Sequence, residues 1–159
     1  MTADEGFIEV PGGRVWYRAV GDQTDATPLL CLHGGPGFTH YYLEPLETLA
    51  EHRRVIFYDQ LGCGRSDRPD DVTLWTVDRF IEELAQVRTT LQLERLHLFG
   101  SSWGGMLAMQ YVLDRQPDLQ SLTLVIIEDA SHLCFAEQPS EFNKTINSFF
   151  DRTDRVSTP

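Results

Sequence analysis

The sequence predicts an α/β architecture: a mostly parallel sheet with helices on both faces, three layers in all. Three observations lead there. Runs of strand length dominated by apolar residues, at Pro28–Leu32, Arg54–Tyr58, Leu96–Phe99 and Leu122–Ile127, recur between stretches with helical spacing. Within these runs apolar residues follow one another rather than alternating with polar ones, the pattern of strands covered on both faces. The loops that follow carry glycine, polar and titratable residues at His33, Asp59, Ser102 and His132, and in a parallel α/β sheet sites gather at the carboxyl ends of strands.

In chain order, Phe7–Val10 and Arg14–Val20, split by Pro11-Gly12-Gly13, read as a β-hairpin at the sheet edge. Gly21–Thr27 is a polar loop. Pro28–Leu32 is a buried strand running into His33-Gly34-Gly35-Pro36-Gly37, whose glycines let backbone N–H groups point into a shared concavity. A helix is expected between His40 and His52, with Leu43, Leu46, Leu49 and Ala50 on one face. Arg54–Tyr58 is the next strand and ends in the turn-rich loop Asp59–Pro69. Val77, Phe80, Ile81, Leu84, Val87 and Leu91 recur at helical spacing, with Asp78, Glu82, Glu83 and Arg88 on the opposite face. Gln116-Pro117-Asp118 breaks the chain after the helix through Met106–Tyr111. Leu122–Ile127 reads as a strand and Glu128–His132 as a loop. Pro139–Phe150 reads as a closing helix with Phe142, Ile146, Phe149 and Phe150 inward, and Arg152–Pro159 as frayed.

With 159 residues the chain is expected to form one domain. Its formal charge of -11, from 24 acidic and 13 basic residues without a basic run, argues against nucleic-acid or anionic-membrane partners. No apolar stretch is long enough for a membrane span, and the opening Met-Thr-Ala-Asp-Glu-Gly lacks the regions of a signal peptide, so a cytoplasmic location is expected. Cys31, Cys63 and Cys134 show neither CxxC nor metal spacing and are expected to be reduced thiols. No metal cluster, GxGxxG frame or P-loop lysine is visible, so no metal or cofactor is expected.

The chemistry centres on Gly100-Ser101-Ser102-Trp103-Gly104, placed between a strand and a helix. This is the pattern of a nucleophile elbow, with Ser102 in a strained turn and its hydroxyl exposed at the sheet's carboxyl edge. Gly100 and Gly104 flank it because a Cβ there would collide as strand and helix close on each other. The amide of Trp103 falls at the helix start, where orphan N–H groups and the dipole favour an anion. A glycine-rich strand–helix turn without chemistry would carry the same letters.

A serine nucleophile needs a base, a donor pair for the oxyanion and usually an acid to orient the base. Of the five histidines, His97 lies within a strand, His40 and His52 in a helix region, and His33 at the opening of the glycine loop, where a structural hydrogen bond is expected. His132 follows the last strand on the functional rim and is the candidate base. Trp103 and Gly35 are the candidate oxyanion donors through their amides. Glu128 and Asp129 are the nearest acids, with Asp129 the candidate, but both could simply finish the strand. Asp59 shares the rim and reads as a turn former. These residues alone do not assign the acid.

On His33-Gly34-Gly35-Pro36-Gly37, Asp59-Gln60-Leu61-Gly62-Cys63-Gly64-Arg65-Ser66 and Gly100-Ser101-Ser102-Trp103-Gly104-Gly105, the chain resembles the α/β-hydrolases, and within them the prolyl iminopeptidase-like branch (peptidase family S33). All three segments stand in the family's order, and the likeness runs from Gly6 to about Leu124. Ser131-His132-Leu133 resembles the segment carrying the family's catalytic histidine. The resemblance implies Ser102 as nucleophile, His132 as base, Gly35 and Trp103 as oxyanion donors, and a small-molecule or short-peptide substrate. It also implies a shortened, cap-less α/β-hydrolase fold. Residues 6–124 would form its N-terminal part and 125–151 its histidine-bearing strand, loop and helix. The family's helical cap, a further strand–helix unit and the strand supplying the triad acid have no counterpart, as if the flanking strands were fused near Leu124-Val125. The cap's acidic residues, which hold a substrate's free amino terminus in the family, go with it.

Loss of a triad acid typically costs about 10⁴-fold in rate. The fused strand would leave an apolar edge, so a homodimer through that edge, or aggregation, is expected. The sequence thus points to a serine hydrolase of small esters or amides, with a non-catalytic remnant of such an enzyme as the alternative. Epoxide hydrolases and haloalkane dehalogenases share the implied fold but place aspartate at the elbow, where this chain has Ser102.

Overall fold

A computed structural model describes residues 2–115, 119–121 and 137–156. Six strands form one sheet: β1 (Ala3–Val10), β2 (Gly13–Val20), β3 (Leu29–Leu32), β4 (Val55–Tyr58), β5 (Leu96–Gly100) and β6 (Leu119–Ser121), in the spatial order β1-β2-β4-β3-β5-β6. The β1–β2 and β2–β4 pairs are antiparallel; β4, β3, β5 and β6 run parallel. The hairpin is longer than its apolar residues foretell, starting at Ala3 because the pairing Ala3↔Val20 extends through polar positions. Its turn is Pro11-Gly12: proline supplies the fixed φ and Gly12, at φ +100°, the left-handed position.

The central strands divide their side chains between two cores. Leu30 and Leu32 of β3 and Ile56 and Tyr58 of β4 face α1 (Val77–Thr90) and α2 (Trp103–Arg115), meeting Phe80, Ile81, Leu84, Val87, Leu107, Ala108 and Tyr111. Leu29, Cys31, Val55 and Phe57 face the other way. There they meet a 3₁₀ helix at His40–Glu51 and α3 (Pro139–Val156), through Leu43, Leu46, Leu49, Phe142, Ile146 and Phe150. Burial on both faces is why these strands read as continuous apolar runs. The expected helix after His40 is present in 3₁₀ form. Three residues per turn place His40, Leu43, Leu46 and Leu49 in one line, and all four are buried.

Three expectations are corrected. Val77 is exposed, because it opens α1 just after the capping Thr76, whose hydroxyl accepts from the Arg79 N–H at 3.3 Å. Glu83 is fully buried rather than solvated: it faces the Asp59–Pro69 loop, where its carboxylate binds Arg79 and accepts from the Leu61 N–H at 3.2 Å. Residues from Arg152 onward continue α3 as far as Val156. That extension is anchored by Asp154, which binds Arg53 at 2.9 Å and lies 3.2 Å from His97. The expected strand Leu122–Ile127 and loop Glu128–His132 lie outside the described residues, as does Cys134; Cys31 and Cys63 are free and buried.

Candidate active site

The chain passes from β3 to β4 on one side and later to β5 on the other. The crevice at the carboxyl ends of β3 and β5 is therefore the topological switch point, where ligands bind in open α/β sheets. Both glycine-bearing segments open there. At the end of β5 the Ser101 N–H donates to the Leu32 carbonyl at 3.1 Å, tying the turn to β3. Ser102 then takes φ +53°, a left-handed conformation that costs an L-residue of order 1–3 kcal/mol and persists only where the surroundings dictate it.

Two backbone contacts dictate it here. A Cβ on Gly100 would overlap the Gly104 carbonyl, and a Cβ on Gly104 would overlap the Leu32 carbonyl. Strand and helix touch through bare backbone, and Ser102 is left at the apex. The helix begins at once: Gly104 N–H bonds to Ser101 O and Gly105 N–H to Ser102 O, each at 2.9 Å.

The loop after β3 lies against this apex. A Cβ on Gly34 would stand 3.2 Å from the Ser102 Cβ and 3.1 Å from the Ser101 carbonyl. The Gly34 N–H donates to the Tyr42 hydroxyl at 2.5 Å, which leaves the next amide, that of Gly35 at φ +125°, as the loop's candidate anion donor. Among the described residues no backbone carbonyl accepts from the amides of Gly35 or Trp103. The structure thus brings Ser102, Gly35 and Trp103 into one neighbourhood. The base and acid candidates, His132 and Asp129, lie outside the described residues.

Beneath the crevice sits a buried polar frame. The Gln60 N–H donates to His33 Nε2 at 2.9 Å, so the His33 proton resides on Nδ1 and is directed at the Gly34 carbonyl, 2.8 Å away. Burial lowers the His33 pKa against that bond, keeping the imidazole neutral. The Gln60 side chain spans the gap: its Nε2 donates to the His33 carbonyl and its Oε1 accepts from Trp103 Nε1, both at 2.9 Å.

Asp59 is fully buried, and its carboxylate is engaged on both oxygens. Oδ1 accepts from the His40 N–H at 2.8 Å and faces His40 Nδ1 at 2.9 Å; Oδ2 accepts from the Arg65 N–H at 2.9 Å. Burial alone would raise its pKa, but these bonds bring it below the usual carboxylate value. Asp59 is therefore a turn organiser, as its sequence position foretells. His33 and His40 hold these loops, and His97 lies beneath α3, stacked on Phe150 at 4.0 Å.

Residue patterns single out neither Gln60 nor Tyr42. The signal available for Gln60 is a pair of polar residues immediately after an apolar strand, where buried polar groups must be hydrogen-bonded. Tyr42 carries none, since an aromatic in a helical stretch reads as core.

With this geometry in place, known proteins define the class. A profile for the alpha/beta hydrolase fold matches residues 27–157, and the chain belongs to that family. Within it the chain is prolyl iminopeptidase-like. The proline iminopeptidase of Heyndrickxia coagulans is 52% identical over 118 residues, 74% of this chain and 41% of that protein. That of Levilactobacillus brevis is 44% identical over 142 residues, 87% of this chain and 48% of that protein. The crystal structure of the Mycobacterium smegmatis proline iminopeptidase matches with a TM-score of 0.69 and 38% identity, over 75% of this chain and 42% of that one. An epoxide hydrolase from Vigna radiata, at 18% identity and a TM-score of 0.66 over 79% of this chain and 39% of its own, shares the fold alone. The chain spans less than half the length of these relatives.

Proposed function

We propose that the chain is a cytoplasmic serine hydrolase of small esters or amides. Ser102 attacks the substrate carbonyl carbon, and its proton passes to His132. The negative oxygen that forms is held by the Gly35 and Trp103 amides. Collapse of this intermediate breaks the bond to the leaving group, which takes the proton from His132, and water then releases the acyl group from Ser102 by the same steps. The observation that carries the proposal is the left-handed Ser102, wedged between β5 and α2 with the Gly34–Gly35 loop against it. The relatives' name, proline iminopeptidase, adds support for acyl transfer. A glycine-rich strand–helix turn can hold this geometry without chemistry, and the second reading is a folded remnant without catalysis.

Hydrolysis of p-nitrophenyl acetate by the parent chain, Ser102→Ala and His132→Ala separates them. The proposal expects a rate above background that both substitutions abolish. Three equal background rates leave the remnant.

A further inference from the structure

We propose that Gln60 is a positioning residue that sets the separation of the two anion donors, the amides of Gly35 and Trp103; this rests on the serine-hydrolase reading above. The donors lie on segments far apart in sequence, and an oxyanion hole works only when both amides reach one oxygen at hydrogen-bond distance. Gln60 contacts both segments. Its main chain holds the His33 imidazole, its Nε2 holds the His33 carbonyl two residues before Gly35, and its Oε1 holds the indole of Trp103 itself.

A strut must itself be fixed, and Gln60 is held from both neighbours. The Asp59 N–H donates to the Trp16 carbonyl of β2 at 3.0 Å, and the Asp59 carbonyl accepts from the Ser66 hydroxyl at 2.5 Å. On the other side the Leu61 N–H is held by Glu83 of α1. Gln60 is fully buried, so water does not compete for these bonds. The chemistry demands an amide. Spanning a carbonyl and an indole N–H takes a donor and an acceptor on one planar group, which ionised glutamate lacks and methionine lacks altogether.

The test combines labelling of Ser102 by a fluorophosphonate with ¹⁵N–¹H spectra of the Gly35 and Trp103 amides, in the parent, Gln60→Met and Trp103→Phe. Trp103→Phe keeps the main-chain donor and Gln60 while removing only the indole end of the bridge. The expected result is a loss of roughly 10²-fold in the maximal labelling rate, with half-saturating reagent concentration nearly unchanged, in both variants. The Gly35 amide resonance should also move in Trp103→Phe, although the substituted side chain bonds to Gln60 and not to the Gly35 loop. Should Gln60→Met not fold, Trp103→Phe carries the test alone. An unmoved Gly35 resonance, or an unchanged labelling rate with a moved resonance, overturns the proposal. A parent chain labelled no faster than Ser102→Ala removes the hydrolase reading instead, and Gln60 is then judged on the two amide resonances.

Discussion

Acid should loosen the docking of α3 through His97. This imidazole is fully buried, stacks on Phe150 with an interplanar angle of 24°, and approaches Asp154 through Nε2. The Arg53 guanidinium covers the Phe150 ring at 4.7 Å and bonds to the same Asp154. Burial, and then the positive charge of Arg53, bring the His97 pKa from 6.5 to about 4 against the attraction of Asp154. Between those values the unfolded chain binds the proton that the native chain refuses. The contribution of a neutral His97 is therefore complete above the ordinary value and is lost as pH falls toward the native one. The loss amounts to about 2 kcal/mol by about pH 5 and about 3 kcal/mol by about pH 4.

Two other groups bear on the measurement. Burial holds Glu83 at about 7, so its contribution is present below the ordinary carboxylate value and is lost as pH rises toward 7, the opposite slope. Asp154 is kept below its ordinary value, since bonds from Thr27 and Arg53 outweigh burial, and it titrates below this window. The assay is accordingly a difference. Urea unfolding followed by tryptophan fluorescence compares the parent with His97→Phe, which keeps a ring on Phe150 and removes the titration. The stability gap between them should narrow by about 2 kcal/mol between about pH 7 and about pH 5. A gap independent of pH refutes the reasoning.

Three further outcomes are expected. Gly104→Ala drives a Cβ into the Leu32 carbonyl, which β-pairing holds in place, and should cost about 3 kcal/mol or more. Gly105→Ala would bring a Cβ to a tight 3.3 Å from the Gly100 carbonyl, against a gain of about 1 kcal/mol in helix propensity, and should cost far less than Gly104→Ala in the same urea titration; equal losses would contradict the close-contact argument. Arg79→Ala leaves the Glu83 carboxylate buried without its partner and should cost about 3–5 kcal/mol above about pH 8. That cost should shrink as Glu83 protonates below about pH 7, so a pH-independent penalty argues against the ion pair. Finally, from the apolar run Leu122–Ile127, sedimentation at tens of micromolar should detect a homodimer or larger species. A stable monomer counts against edge pairing.

Much of the frame was legible locally. Strand burial on both faces leaves continuous apolar runs, and the glycines at 100 and 104 record a backbone contact that admits no Cβ, so β3, β4, β5 and the Ser102 turn followed from residue order. What escaped depends on partners distant in sequence. Glu83 looks like a solvated helix residue until the Asp59–Pro69 loop is folded over it. Asp154 looks like a fraying terminus until Arg53 and His97 are beneath it. Polar residues acquire burial only through such partners, and a charge pattern on one helix contains no information about which partner arrives.

By itself, then, the sequence determined the layered α/β class and singled out a candidate site at the strand ends with its candidate serine, because strand and turn requirements act over a few neighbouring residues. Tertiary structure alone decided how the site is framed: His33 bound to Gln60, Gln60 bridging to Trp103, and Asp59 held by His40 and Arg65. Those bonds join segments that meet only when the β3, β4 and β5 termini converge, and buried hydrogen bonds are specified by that convergence rather than by the order of residues along the chain.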